Sequence, residues 1–292
     1  MSVLVLGGAG YIGSHAVYRL IDQQYDVVVV DNLQTGHEQA IHPKAKFYKG
    51  DIRNKGFLRE VFRTENIDTV LHFAANSLAS ESMMKPITED MLNNVTSVYG
   101  EPKLTMEKMM KWCYVAYGFK YVSLRYFNVA GARESGEIGE DHSPETHLIP
   151  IVLQAALGQR EHIRIFSDDY DTPDGTCIRD YILVEDLIDA HILAIRYLMD
   201  RENSEIFNLE SNQGFSVKEI VETAREVTNH LLPVKIGKRR AGDSNMLIAS
   251  SEKAKRTLGW RPTRTSVHKI IKDAWNWHRN NPNGYEARGG KR

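Results

Sequence analysis

Short apolar runs recur through the first part of the chain, among them Val3-Leu4-Val5-Leu6 and Val27-Val28-Val29-Val30. Between them, apolar residues return every three or four positions. The runs predict strands at 2–7, 26–31, 46–50 and 69–74, and the intervening stretches predict helices over 11–23 and 56–64. Continuous apolar strands separated by amphipathic helices require cover on both faces, which predicts a parallel sheet. Residues 97–117 predict a helix with Met106, Met109, Met110 and Cys113 on one stripe, residues 120–127 a strand, and 131–139 a loop. Beyond that loop the texture changes. Short helices (147–158, 185–200, 216–229, 266–279) alternate with short strands (162–166, 206–209, 233–236), which predicts a smaller α/β domain for substrate. The tail after Asn280 is polar and glycine-rich and is expected to fray.

The first chemistry lies between the first strand and the first helix. Gly7-Gly8-Ala9-Gly10-Tyr11-Ile12-Gly13 follows Val3–Leu6 directly, so a strand, a glycine turn and a helix start are contiguous. Such glycines let the backbone turn sharply and approach a pyrophosphate, whose charge then sits on a helix N-terminus. A structural turn could look similar. However, the second strand ends in Asp31, about twenty residues on, where a carboxylate takes both ribose hydroxyls of an adenosine. The pattern predicts a Rossmann-type dinucleotide site, and Asp31 favours NAD over NADP because it repels a 2′-phosphate.

Bulk properties narrow the classes. The chain has 292 residues and a formal net charge of −1, with both signs mixed, which argues against a nucleic-acid partner. No apolar stretch reaches the ~20 residues of a membrane span. The first strand begins at residue 2, so no signal peptide is expected. The two cysteines, Cys113 and Cys177, are too few for a disulfide framework, lack metal-ligand spacing and fit a reducing cytoplasm. No metal site is expected.

Tyr99-Gly100-Glu101-Pro102-Lys103 places a phenol and an ammonium one helical turn apart. The cation favours phenolate, and a tyrosine so tuned serves as a general base near neutrality. An exposed Tyr and Lys without catalytic meaning is the alternative. Similarly, Arg179 beside Asp180 reads as a surface pair, Asp243 as a turn end and Phe166 as core, unless a wider pattern binds them together.

The wider pattern exists. Gly7–Gly13, Asp31-Asn32, Gly50-Asp51-Ile52, His72-Phe73-Ala74-Ala75 and Tyr99-x-x-x-Lys103 together resemble the extended short-chain dehydrogenase/reductase family. Arg125–Ala132, Asp174–Tyr181 and Arg239–Asp243 narrow the resemblance to members that invert C4 of a UDP-hexose, and it spans nearly the whole chain. The resemblance implies tightly bound NAD and interconversion of UDP-galactose and UDP-glucose through transient oxidation at C4. It implies a Rossmann domain at 1–130 plus about 184–209, a UDP-sugar domain at 131–183 plus 210–285, and a flexible 286–292. Gly7, Gly10, Gly13, Tyr11 and Ile12 would follow the pyrophosphate. Asp31 and Asn32 would hold the adenosine ribose, and Asp51 and Ile52 would frame adenine. Phe73, Ala74, Ala75 and Asn93 would line the cofactor channel. Tyr126 and Phe127 would pack beside the nicotinamide. Tyr99 would be the base and Lys103 its partner. On the substrate side Asn128, Arg179 and Arg240 would meet the diphosphate, Phe166 uracil, and Asp243 the uridine ribose, with Tyr181 in the same motif. Relatives dimerise through helices of the Tyr-Lys region, which implies a homodimer.

The chain also departs from that pattern. Between Ala75 and Tyr99 the family places a further crossover helix and strand, ending in a hydroxyl that bonds the sugar. Residues 76–98 are too few for a crossover and return strand. The expected fold is therefore a Rossmann-type sheet lacking one helix and one strand. Ser167 and Glu210 stand where the family has glycine, Leu183 replaces a histidine, and His147 replaces a substrate-contacting asparagine. A catalytically impaired binder of NAD and UDP-sugar, or another nucleotide-sugar enzyme of the family, remains an alternative.

Overall fold

The structure is a computed structural model that describes residues 1–74, 89, 100–200, 203–211, 213–240 and 243–286. In chain order the strands and helices are β1 (Ser2–Leu6), α1 (Tyr11–Asp22), β2 (Asp26–Asp31), β3 (Lys46–Lys49), α2 (Lys55–Thr64) and β4 (Thr69–His72). There follow α3 (Gly100–Tyr117), β5 (Val122–Arg125), β6 (Asn128–Ala130), α4 (Leu148–Ala156), β7 (Ile163–Phe166), β8 (Ile178–Leu183) and α5 (Val184–Asp200). The last are β9 (Glu205–Asn208), β10 (Gly214–Ser216), α6 (Val217–Thr228), β11 (Val234–Gly237), β12 (Met246–Leu247), α7 (Glu252–Thr257) and α8 (Val267–Asn280). Two units result. One comprises Met1–Asn76, Gly131–Pro150 and Asp273–Arg292, and the other Ser77–Ala130 and Ile151–Lys272.

The first unit holds a parallel sheet of order β3-β2-β1-β4, the α/β Rossmann-type arrangement expected. Val27 to Val30 are all buried, which is what cover on both faces demands of a central strand. Leu4, Leu6, Val28, Val30 and Val61 form one cluster, with Ile52, Phe57 and Ala74 packed against it. A second joins Tyr18, Ala40, Ala132, Ile138, Trp277 and Tyr285, so residues of α1, of the loop after β6 and of α8 share one core.

In the second unit β5 pairs in parallel with β9. β8 is the hub of another sheet, pairing with β6 and β12 in parallel and with β10 antiparallel. β7 pairs with β11. Among the described residues β4 pairs only with β1, and β5 only with β9. The single strand expected at 120–127 is corrected to β5 and the separate β6, because Arg125 ends one ladder and Asn128 begins another. Helix α6 begins in a capping box: the Glu219 amide donates to Ser216 Oγ (3.0 Å) and the Ser216 amide to Glu219 Oε2 (2.6 Å).

Ser167, at a position that is glycine in the resembled family, has φ +77°, in the left-handed region. That conformation costs a non-glycine residue on the order of 1 kcal/mol. Its amide donates to Gly237 O (2.9 Å) and its hydroxyl to the Asp169 carboxylate, which hold it there.

Candidate active site

The glycine loop is built as the sequence implies. Gly7 has φ +79°, and a Cβ there would meet Ala74 N at 2.6 Å. A Cβ on Gly13 would lie 2.0 Å from Gly7 O. Gly10, by contrast, is the N-cap of α1, and a Cβ there would approach nothing closer than 3.5 Å. Gly7 and Gly13 therefore serve internal packing, while Gly10 leaves space above the helix N-terminus. That terminus has no side-chain cap and no acidic residue in its first turn. Its orphan N–H groups and positive dipole end fit an anionic pyrophosphate.

At the tip of β2, Asp31 is nearly buried. Its Oδ2 accepts from Ala9 N (3.0 Å) and its Oδ1 from Leu33 N (2.8 Å). Two backbone donors fix the carboxylate plane beside the glycine loop, and each oxygen keeps a lone pair for a ribose hydroxyl. Asn32 Nδ2 donates to Asp51 at 3.4 Å. Arg53 grips Asp51 through Nε (2.9 Å) and Nη2 (2.6 Å), and this guanidinium holds the Asp51 carboxyl well below the usual range. Ile52 is turned partly into the core. The Phe73 and Ala74 amides both donate to Leu6 O, at 2.8 and 3.1 Å, which carries the end of β4 alongside the glycine turn. The Tyr11 hydroxyl donates to Gly131 O (2.8 Å). His15 is buried one turn into α1, and burial lowers its pKa to about 4, so it is neutral. These residues fit a dinucleotide.

The second unit gathers the expected substrate residues. The Arg240 guanidinium lies over the Phe166 ring at 3.7 Å from its centroid. Asp243 stands 3.9 Å from Arg179 and 3.8 Å from Arg240. Arg179 is anchored on the carbonyls of Ile178 (2.9 Å) and Ser244 (3.0 Å). The sequence reading missed Arg164, whose guanidinium also faces Phe166 at 5.3 Å; its signal was alternation along β7, which sets Arg164 and Phe166 on one face. Two arginines, a carboxylate and an aromatic face make a set suited to a nucleoside diphosphate. Asn128 Nδ2 donates to Asp180 O (2.9 Å), so the start of β6 is pinned to β8. Tyr181 is buried, and burial pushes its phenol pKa up. Tyr126 sits edge-on to His191, centroids 6.1 Å apart, and Phe127 is exposed.

Of the pair expected to transfer the proton, Lys103 lies in the first turn of α3, and partial desolvation lowers its pKa. Tyr99, Asn93 and Ala75 lie outside the described residues. Helix α3 is tied to β5 by Glu107, which takes Arg125 Nε and Ser123 Oγ, both at 2.8 Å. The methionine stripe is regrouped by the structure. Met106, Met109, Trp112 and Val115 are all exposed, their three-residue spacing winding them half-way round α3, while Met110 and Cys113 are half-buried.

Glu210 is fully buried behind this region. It accepts from Phe127 N at 2.9 Å, and Asp180 lies alongside it. Burial, and then the Asp180 charge, raise its pKa well above the usual range, so it is held as the neutral acid. A carboxyl with a raised folded pKa contributes stability below its unfolded pKa and loses it as pH rises through the folded value. Stability is therefore expected to fall with rising pH above about pH 4, with a slope of up to ~1.4 kcal/mol per pH unit from this group. Glu210→Gln is expected to lack that slope. Urea unfolding of both proteins between about pH 5 and 9 checks it, and parallel curves would refute the assignment.

The sequence profile of the family described as "NAD dependent epimerase/dehydratase family" matches residues 3–95 and 82–209. The UDP-glucose 4-epimerase of Halalkalibacterium halodurans is 50% identical over 330 aligned positions, covering 98% of both chains. A crystal structure of a UDP-glucose 4-epimerase superposes with TM-score 0.95 at 52% identity, covering 98% of this chain and 99% of its own. The Bifidobacterium longum UDP-glucose 4-epimerase, solved with NAD+ and UDP, gives 0.89 at 32% identity, covering 97% and 100%. The 330 aligned positions exceed the 292 residues of the chain, so dozens of positions in the first relative have no counterpart here. The two profile matches overlap at 82–95, within the interval where the sequence reading expects a missing helix and strand. The profile, the relatives over their whole length and the glycine-loop geometry agree: the chain belongs to the NAD dependent epimerase/dehydratase family.

Proposed function

We propose that this protein interconverts UDP-galactose and UDP-glucose, with NAD held around the glycine loop and the UDP-hexose around Arg179, Arg240 and Asp243. The observation that carries this reading is the run of contacts from Arg179 to Asp243 to Arg240 to Phe166, which offers a uridine diphosphate two guanidinium groups, a carboxylate for the ribose and an aromatic ring. Inversion at C4 needs a firmly held nucleotide and a sugar free to turn over. In this reading Arg179 and Arg240 neutralise the diphosphate and Asp243 accepts from the uridine ribose. Gly7, Gly10, Gly13, Tyr11, Asp31, Asn32, Asp51, Ile52, Phe73, Ala74, Ala75 and Asn93 serve the cofactor. Tyr126, Phe127 and Asn128 lie between the two ligands in sequence role. NAD, when bound, supplies a reversible hydride acceptor. Tyr99 takes the proton of the 4-hydroxyl and returns it after the sugar turns, and Lys103 favours its phenolate. The NAD function is assigned to 1–130 with about 184–209, and the sugar function to 131–183 with 210–285.

Proton NMR of purified protein with UDP-galactose tests this. UDP-glucose should accumulate without added NAD, and Tyr99→Phe should lower kcat by roughly 10²–10⁴-fold. A second reading is favoured by the shortfall against the relatives. If the missing segment carried the sugar-bonding hydroxyl, the protein binds NAD and UDP yet turns over slowly. Tight binding of both with no conversion would establish that reading instead. The adjacent exposed side chains of Met109 and Trp112 on α3 support a homodimer packed through that helix. No helix among the described residues is long and apolar enough to cross a membrane, and the free thiols of Cys113 and Cys177 suit the cytoplasm.

A further inference from the structure

The loop before α4 carries Glu140-Asp141-His142-Ser143-Pro144-Glu145-Thr146-His147, in which a Glu-x-His pair recurs after five residues. The fold closes the two pairs on each other. One donor atom from each of Glu140, His142, Glu145 and His147 lies within 4.8 Å of all the others. His147 Nδ1 is 2.5 Å and His142 Nδ1 3.3 Å from Glu140 Oε1, and the two imidazoles stand 3.8 and 3.9 Å from the Glu145 oxygens. Ligand atoms ~2.1 Å from a tetrahedral ion are separated by about 3.4 Å, so only the closest pair must open.

Three further observations favour a metal over a plain charge cluster. First, His142 Nδ1 is buried and makes no hydrogen bond, although it faces Glu140. Second, Glu140 is only 3% exposed, so its charge needs compensation inside the protein. Without an ion the imidazoles of His142 and His147 answer Glu140; a divalent ion would displace their protons and balance the two carboxylates itself. Third, Glu145 Oε1 is oriented by the amides of Thr146 and His147, both at 2.8 Å, in the manner of an outer-shell support.

We propose that Glu140, His142, Glu145 and His147 form a structural site for a divalent transition metal of the zinc class. Two imidazole nitrogens and two carboxylate oxygens suit Zn²⁺ or Co²⁺; sulfur-seeking and all-oxygen ions fit less well. All four positions come from protein, so no coordination place is left open for chemistry. The ion fixes the segment that includes Asp141, which receives the Tyr285 amide at 2.9 Å and pairs with His37 at 3.5 Å. It thereby braces the first unit.

The test uses the full chain, stripped with chelator and titrated with Co²⁺. The wild type should develop the visible bands of four-coordinate Co²⁺, saturating at one equivalent and bleached by Zn²⁺. His142→Asn and Glu145→Gln should each weaken Co²⁺ binding by at least about tenfold, and His268→Asn, at an exposed position at the start of α8, should not. Zn²⁺ should raise the Tm of the wild type but not of His142→Asn. Absence of a stoichiometric Co²⁺ spectrum in the wild type overturns the proposal even if a variant fails to fold. So does equal binding by wild type and both ligand variants, and either result leaves an ion-paired His–Glu cluster.

Discussion

Gly13→Val is expected to abolish measurable NAD binding, with an affinity loss of 10²–10⁴-fold. The first added carbon would lie 2.0 Å from Gly7 O and 2.9 Å from Gly8 Cα. Both are backbone, so the loop itself must move. Gly7 has little room to yield, since it sits at φ +79° against Ala74 N. Moving the loop turns the α1 N–H groups away from the pyrophosphate. Each charge-assisted hydrogen bond lost costs about 1.5–3 kcal/mol, and two such losses give the range stated. Gly10→Ala separates binding from folding. Its Cβ meets only an ordinary contact at 3.5 Å, so the free protein should keep its Tm while NAD affinity falls. Calorimetric titration with NAD, beside thermal melts, reads both. Full NAD affinity in Gly13→Val would show that the loop does not hold the dinucleotide.

Asp186→Ala should be the most destabilising single change in the second unit, by about 3–5 kcal/mol. The carboxylate is 2% exposed and collects four donors from one short segment. Thr263 N and Arg264 N reach Oδ2 at 3.0 and 2.8 Å, while Thr263 Oγ1 and Arg264 Nε reach Oδ1 at 3.3 and 2.9 Å. The Asp186 carbonyl also receives the Trp260 indole at 2.9 Å. Removing the carboxylate strands two amides and part of a guanidinium within the protein. Arg264 retains Asp189 at 3.1 Å, so its charge is not wholly orphaned, which places the loss below that of an isolated buried ion. Urea unfolding gives the value. A loss under about 1 kcal/mol would mean that water replaces the carboxylate at little cost.

How much of this was legible in the sequence depends on how local the cause was. β2 was legible because Val27 to Val30 can be nothing but a strand buried on both faces. The ribose position of Asp31 follows from its place at that strand's end. α6 was legible as a helix over 216–229, while its capping box of Ser216 and Glu219 is seen only in the structure. β8 was not legible, because Arg179 and Asp180 interrupt its apolar pattern and its partners β6, β10 and β12 are too short to stand alone. Their pairing is set by residues distant in sequence. The strain at Ser167 was invisible, since a dihedral angle leaves no mark in composition. The identity of Glu210 was plain, yet its neutrality comes from burial and from Asp180, which only folding brings near. The Glu–His loop contains no cysteine, and its repeated Glu-x-His becomes a cluster only where the fold closes the two pairs on each other.

The bare N-terminus of α1 makes the cofactor a component of the protein's lifetime. A helix start with neither cap nor acidic neighbour leaves its amide donors to be satisfied by whatever anion occupies the loop. A ligand present at a hundred times its Kd adds about 2.7 kcal/mol to stability by mass action. The fraction of molecules open to proteolysis then falls by roughly a hundredfold when the dinucleotide is abundant, and rises again when it is scarce. Loss of the dinucleotide is therefore expected to show first as faster proteolysis of the purified chain, before any change in its fold.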